Sequence, residues 1–358
     1  MNFNQLLNED KPNVDSLKDA NLSAAFDDAL RQVNEVDPNY AKIAKALSNV
    51  GEAYDRLKNY DQALKYLGQA LKMQQELHKG EAHSDLAKAL NDVGIAYLDS
   101  GDEDQALEYL EKALEMQQAL HKGENHPDLA KALNDMGEAY QSVGQHEQAR
   151  DHFAQALEIQ EELHEGKSHK EIASTLTKAG IASGRSRNYY QAIDYLKQAL
   201  EMKRELHEGK NHIAVAEALN DVGVTYERLD EYYQALKYFK QALKMQQELH
   251  KGKNHDDVAE ALSDVGITYD NFGKYDQALE CLKQALEMQQ RLHEGENHIA
   301  VATVLFNVGL TYQRFGKYDQ ALEYLKQALE MSQQLLPDFS SYKLIQKIHR
   351  IMALCNPE

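Results

Sequence analysis

The sequence contains few of the residues that interrupt or cross-link a chain. Its five prolines and 19 glycines among 358 residues are too few for a disordered or loop-rich protein. Two isolated cysteines, Cys281 and Cys355, make neither a disulfide framework nor a zinc site. No stretch of about 18 consecutive apolar residues is present, so the sequence predicts no membrane-spanning helix.

Positive charge is also scarce. The 39 lysines and arginines are outnumbered by 58 aspartates and glutamates, which gives a formal net charge of −19. An acidic surface repels phosphate groups, so we expect no nucleic-acid partner and no attachment to membranes. The amino-terminal residues lack the basic and then apolar pattern of a signal peptide. We therefore expect a cytoplasmic protein, and secretion as an effector remains an alternative.

Strong helix formers are abundant, and they are arranged in a repeat. Alanine, leucine, glutamate, lysine and glutamine are the commonest residues. A glycine recurs with its surroundings every 43 residues, without insertion or deletion, at Gly51, Gly94, Gly137, Gly180, Gly223, Gly266 and Gly309. Such a period indicates a stack of seven similar units, none of which can bury its own apolar face alone.

Each repeat is predicted to form two helices. In the third repeat, apolar residues lie at helical spacing over about residues 128–142 and 146–164, and the turn Val143–Gln145 joins the two segments. The small residues Gly137 and Ala149 let the two helices approach closely. Stacking the seven pairs would then build one continuous core.

The small, aromatic and alanine positions of the repeat resemble the signature of the tetratricopeptide-repeat family. In the first repeat they are Gly51, Tyr54, Ala63, Leu67 and Ala70. The 43-residue length, the segment LNDVG and the loop GENHPDLA are similar to those of the kinesin-light-chain group. This resemblance implies an all-α fold, a right-handed superhelical solenoid of seven helix-turn-helix repeats. It also implies that a protein or peptide binds on the concave surface, which the first helix of each repeat lines.

The chain is predicted to consist of three parts. Residues 1–40 form an amino-terminal capping segment, residues 41–336 form the seven repeats, and residues 337–358 form a carboxy-terminal capping helix. A solenoid needs such caps because its two end repeats would otherwise expose their apolar faces.

Residues on both sides of the repeat glycine form the predicted binding groove. Asparagines before the glycine can both donate to and accept from a peptide backbone, and aliphatic residues after it can contact apolar side chains. The predicted groove residues are Asn49, Asn91, Asp92, Ile95, Asn134, Asp135, Ile181, Asn220, Asp221, Val224, Asp264, Ile267, Asn307 and Leu310. Two alternatives remain open: the polar residues only solvate this face, and the aliphatic residues are buried against the next repeat.

Six positions before the repeat glycine, the charge changes sign along the chain. Lys45, Lys88 and Lys131 occupy this position in the first three repeats, whereas Glu217 and Glu260 occupy it in the fifth and sixth. This change could orient a partner that is acidic at one end and basic at the other. Neutral variation of the surface is the alternative interpretation.

The sequence offers no candidate for catalysis. Histidines recur in pairs five residues apart, as in His78 and His83, but they flank a glycine loop in every repeat, which favours a structural or capping role over a metal site. We therefore expect no metal, no cofactor, no small-molecule substrate and no enzymatic activity. The predicted function is a scaffold or adaptor that binds a peptide or helix of a partner protein. A self-associating structural protein and a regulatory, inhibitory subunit of an enzyme are the alternatives.

Overall fold

In a computed structural model, the described residues are 20–34, 39–335 and 339–355. They form sixteen α-helices and no strand, which confirms the all-α prediction. The helices are α1 (Ala20–Val33), α2 (Tyr40–Arg56), α3 (Tyr60–His78), α4 (Ser84–Ser100), α5 (Glu103–His121), α6 (Pro127–Ser142), α7 (His146–Leu163), α8 (Lys170–Arg185), α9 (Tyr189–Leu206), α10 (Ile213–Glu227), α11 (Tyr232–Leu249), α12 (Asp256–Asn271), α13 (Tyr275–Leu292), α14 (Ile299–Arg314), α15 (Tyr318–Gln334) and α16 (Phe339–Cys355). Even-numbered helices from α2 to α14 are the first helices of the seven repeats.

The chain divides into two compact units between Ser186 and Arg187, in the turn of the fourth repeat. The first unit contains α1 to α8 and the second contains α9 to α16. Within each unit, every helix packs against the helix that follows it in the chain. First helices also contact the first helix of the next repeat, as α4 does with α6. This packing of successive helix pairs is typical of a repeat solenoid.

The repeat glycine is required where the two helices of a repeat cross. A Cβ atom on Gly137 would lie 2.6 Å from Cε1 of Phe153, and one on Gly94 would lie 2.7 Å from Cγ of Leu110. Both distances are too short for non-bonded carbon atoms, so any larger residue would push the helices apart. The same relationship recurs at Gly51, Gly223, Gly266 and Gly309, which confirms the sequence-based explanation for the glycine of these repeats.

An aromatic pair closes most repeats beyond this crossing. Tyr97 stacks on Tyr109 with ring centroids 5.5 Å apart, and equivalent pairs lie in the first, fifth and seventh repeats. The fourth repeat has Ser183 in place of the first tyrosine. Its buried hydroxyl donates to the carbonyl of Ala179 at 2.8 Å, which satisfies the polar group but provides no ring to stack.

Helices α1 and α16 cover apolar surface at the two ends of the described chain. Phe26 of α1 is fully buried and packs edge-to-face against Tyr54 and Tyr66 of the first repeat. Leu344 and Ile348 of α16 are buried in the last core cluster. The boundaries at residues 40 and 336 stay predictions, and residues 1–19, 35–38, 336–338 and 356–358 lie outside the described part. No helix in the described part is both long and apolar enough to cross a membrane.

Candidate functional site

Four cavities lie at equivalent places between the first helices of neighbouring repeats. In the first unit, the α2–α4, α4–α6 and α6–α8 cavities have volumes of about 380, 270 and 410 Å³. In the second unit, the α10–α12 cavity has a volume of about 240 Å³. Each cavity is walled by residues of two first helices and by the second helix that lies between them in the chain. The site therefore repeats with the period of the sequence.

Each of the four cavities has one glutamine of the second helix in its wall. These buried residues are Gln74, Gln117, Gln160 and Gln246, one for each cavity. Each has a side-chain carbonyl oxygen with no hydrogen-bond partner. A buried acceptor without a donor costs about 1–3 kcal/mol, so each glutamine would gain from a ligand that supplies an N–H group.

Sequence analysis missed this row of glutamines. Each follows a core alanine by four residues, as Gln74 follows Ala70, and therefore lies on the apolar face of its helix. A polar residue that recurs on an apolar face is a signal that could have identified it.

The predicted groove asparagines differ in their hydrogen bonds within the protein. Asn91 and Asn134 are buried, and each has a side-chain oxygen without a partner. The amide of Asn91 donates to Oδ2 of Asp135 at 2.8 Å, which links α4 to α6. Asn134 makes no hydrogen bond within the described residues, so the protein engages neither end of its amide. Asn220, which is half-buried, lies in the wall of the α10–α12 cavity.

In the first unit, lysines compensate the carboxylates of the cavity walls. The ammonium of Lys88 lies 2.9 Å from Oδ2 of Asp92 and 3.0 Å from Oε1 of Glu52. Burial raises the pKa of Asp92 and Asp135, while the charges of Lys88 and Lys131 oppose that shift. The lysine charges thus offset part of the cost of burying these carboxylates.

The α10–α12 cavity has less of this compensation, because no lysine or arginine is in its wall. Burial raises the pKa of Asp221, the charge of Lys203 opposes this shift, and the charge of Glu217 adds to it. Burial, Glu260 and Glu227 raise the pKa of Asp264 to about 7. Within the described chain, no lysine or arginine nitrogen lies within ion-pair distance of Asp264.

The predicted aliphatic residues are only partly accessible, and none is in the walls of the four cavities. Ile95, Val224, Ile267 and Leu310 are half-buried and pack against core clusters, so they contribute to contacts between helices. Ile181 is also half-buried. Of the remaining predicted groove residues, Asn49 is exposed and Asn307 is half-buried, and neither lies in the walls of the four cavities.

The histidine pairs have the capping role that the sequence predicts. The second histidine of each pair precedes a first helix, and its Nδ1 accepts a backbone N–H at 3.1 to 3.3 Å, as in His83 with Asp85. The two rings of a pair stack with centroids 3.5 to 3.7 Å apart. Four of the loops bring such a pair within 4.8 Å of a carboxylate. In each of these loops the helix cap engages Nδ1 of the second histidine, so that nitrogen is not free to bind a metal.

A family model described as tetratricopeptide repeat matches residues 23–76, 85–162, 171–248, 215–291 and 257–334. The chain is a member of the tetratricopeptide-repeat family. This fold is generally a non-catalytic one that mediates protein–protein interaction. No curated protein matches the sequence significantly.

Solved structures with the same fold include kinesin-light-chain-like repeat proteins, which confirms that resemblance for the fold. BtubC (BKLC) from P. vanneervenii is 20% identical with a TM-score of 0.54, over 65% of this chain and 92% of its own. A Podosopora anserina protein described as a kinesin light chain with nearly identical TPR-like repeats is 17% identical with a TM-score of 0.54, over 60% of this chain and 99% of its own. The apo form of RapI is 17% identical with a TM-score of 0.62, over 87% and 86%.

Proposed function

We propose that this tetratricopeptide-repeat protein is an interaction scaffold that binds an extended segment of a partner protein along the first helices of its repeats. The observation that carries the proposal is the row of buried glutamine oxygens without hydrogen-bond partners, one for each of the four cavities. Asn134, with its unengaged amide, adds a donor and an acceptor on the same face.

The unpaired acceptors favour an extended segment over a helix. In a helix, the backbone N–H groups are already bonded within the helix. An extended peptide leaves its N–H groups free, so these groups can pair with acceptors that recur along the repeat. The half-buried Ile267 and Leu310 provide apolar contacts beside the polar ones.

The proposal can be tested by selecting short random peptides on phage against the full chain. The affinity of the selected peptides would be compared for three proteins: the native chain, the groove variant Asn134→Ala/Asn220→Ala, and the control variant Tyr190→Ala/Tyr233→Ala. The two control tyrosines are 80% and 74% exposed and belong to second helices. Losing two groove contacts should weaken binding about tenfold or more, and the control should bind like the native chain.

The opposite result, in which the tyrosine variant loses binding and the groove variant keeps it, would place the binding surface on the second helices. Self-association and regulation of an enzyme remain predictions. A sedimentation velocity series over protein concentration would detect the former, because its apparent mass would rise without any ligand.

A further inference from the structure

The α10–α12 cavity differs from its three counterparts in charge, because each of the others has lysine in its wall. Carboxylates of Glu217, Asp221, Asp257, Glu260 and Asp264 line it, and no lysine or arginine does. In the α4–α6 cavity, Lys88 and Lys131 stand at the positions of Glu217 and Glu260. An asparagine and a glutamine occupy equivalent positions in the two walls: Asn91 and Gln117 in one, Asn220 and Gln246 in the other. The carboxylates of the wall are therefore accompanied by lysines in the α4–α6 cavity and by no basic residue in the α10–α12 cavity.

One carboxylate of the acidic cavity has its partner already. Oδ2 of Asp257 lies 3.1 Å from Nε2 of His250 and 3.5 Å from Nδ1 of His255. The other four, of which Asp221 and Asp264 are half-buried, form no ion pair with the described residues. Neighbouring carboxylates repel each other, and half-buried ones also lose hydration. The attraction of a cation that enters the cavity would offset both costs.

A second feature of this cavity calls for a hydrogen-bond donor. Gln246 is only 8% exposed, its side chain forms part of the wall, and its Oε1 has no partner. A ligand that satisfies this cavity therefore needs both positive charge and several N–H groups. A bare metal ion would supply the charge and no N–H group.

We propose that the α10–α12 cavity binds an arginine side chain of the partner segment. A guanidinium group has five N–H donors in a planar fork, remains charged, and is more weakly hydrated than an ammonium group. It can therefore bond the carboxylates and Gln246 Oε1 together. The volume of about 240 Å³ lies below the roughly 300 Å³ at which sites for drug-sized ligands begin, and so suits a single side chain.

The inference rests on the proposed function, since it names one side chain of the segment that the scaffold binds. It also gives the change in charge along the repeats a role. The basic residue of the partner lies in the second unit. The cavities of the first unit, where Lys88 is paired with Asp92 and the charge of Lys131 acts on Asp135, accept uncharged groups.

The test uses amino-acid amides as probes and needs no natural partner. N-acetyl-L-arginine methylamide is titrated into the full chain labelled with ¹⁵N-glutamine, and the side-chain amide signals of Gln246 and Gln117 are followed by NMR. We expect a saturable shift at Gln246 and none at Gln117. The citrulline amide has the same shape without the charge. It should bind at least about tenfold more weakly, because it loses the charge-assisted bonds.

Two variants with equal changes in net charge complete the test. Glu217→Lys/Glu260→Lys should abolish the shift at Gln246, while Glu280→Lys/Glu323→Lys, at exposed positions of second helices, should leave it unchanged. An unmoved Gln246 signal, or equal binding of the citrulline amide, would overturn the inference. Equal binding of the lysine amide would overturn the assignment to arginine.

Failure of this inference and failure of the proposed function are distinguishable. If phage-selected peptides bind the groove but the arginine amide leaves Gln246 unmoved, only the inference fails. If the arginine amide binds and no peptide depends on Asn134 and Asn220, the cavity is a cation site and the scaffold proposal fails.

Discussion

Asn91 of the second repeat donates its side-chain amide to the carboxylate of Asp135 in the third, across 2.8 Å. One residue thus has two roles, because its amide nitrogen joins two repeats while its carbonyl oxygen stays unpaired in a cavity wall. The equivalent residue one repeat later, Asn134, forms no such link, since Lys178 stands where its acceptor would be.

This difference predicts unequal costs of truncation. Asn91→Ala should lower the free energy of unfolding by about 1–2 kcal/mol, because it leaves the partly buried carboxylate of Asp135 without a donor. Asn134→Ala should cost less, because Asn134 makes no hydrogen bond with the described residues. Urea denaturation followed by circular dichroism would measure both. Equal costs at the two positions would show that the bond between the repeats contributes nothing to stability.

The glycine at the helix crossing supports a prediction with an internal control. Gly137→Ala should destabilise by about 1–2 kcal/mol, since its contact with Phe153 outweighs the better helix propensity of alanine. Gly68→Ala should stabilise by about 0.5–1 kcal/mol, because Gly68 lies within α3 and a Cβ there meets nothing within 4 Å. Shifts of the urea midpoint in the same direction for both variants would contradict the packing argument.

The repeat architecture and the helix pairs follow from the sequence because they depend on residues close together in the chain. The glycine of each repeat and the Leu110 or Phe153 that it accommodates are 16 residues apart, within one repeat. The histidine caps are even more local. Both were therefore predictable from spacing alone.

The division of roles within the groove was not predictable in the same way. The bond from Asn91 to Asp135 spans 44 residues and depends on how two repeats are offset in space. The aliphatic residues, such as Ile95 and Ile267, are half-buried against clusters that combine residues of more than one repeat, which one repeat cannot reveal. The glutamine row was readable in principle, but single polar residues on an apolar face are easily taken for ordinary helix formers.

Replacement of Asp264, which has no ion-pair partner in the described chain, should stabilise the protein by an amount that depends on pH. Its pKa in the folded chain is raised to about 7, so folding favours its protonated form and loses stability as pH rises from about 4 to 7. Asp264→Asn removes this loss and should stabilise the chain by up to about 4 kcal/mol near pH 8, with the gain vanishing below about pH 4.

The matched control is Asp135→Asn, three repeats earlier. Asp135 accepts the Asn91 amide and faces Lys131, so its replacement should bring no comparable gain. Urea midpoints near pH 5 and pH 8 for both variants would decide. A gain at Asp264 that is independent of pH would point to packing and not to charge.

The stacked histidines predict the opposite pH dependence. Partial burial and the neighbouring His212 lower the pKa of His207, so the stability from its neutral form is complete above the ordinary histidine pKa of about 6.5 and is lost as pH falls below it. His212→Asn keeps an acceptor for the helix cap and removes the second ring.

Acidification from about pH 7.5 to 5.5 should therefore lower the urea midpoint of His212→Asn less than that of the native chain. His152→Gln, which removes a histidine outside the stacked pairs, should follow the native curve. The prediction is wrong if all three proteins lose stability in parallel.

The histidine cap and the glycine crossing are each complete within a single 43-residue period, and this has an evolutionary consequence. Recombination between neighbouring repeats would delete or insert one whole period and recreate the same loop, the same cap and the same helix crossing at the new junction. The number of repeats can therefore change without loss of the fold. The few residues that set the charge of each cavity then decide what a longer or shorter array can recognise.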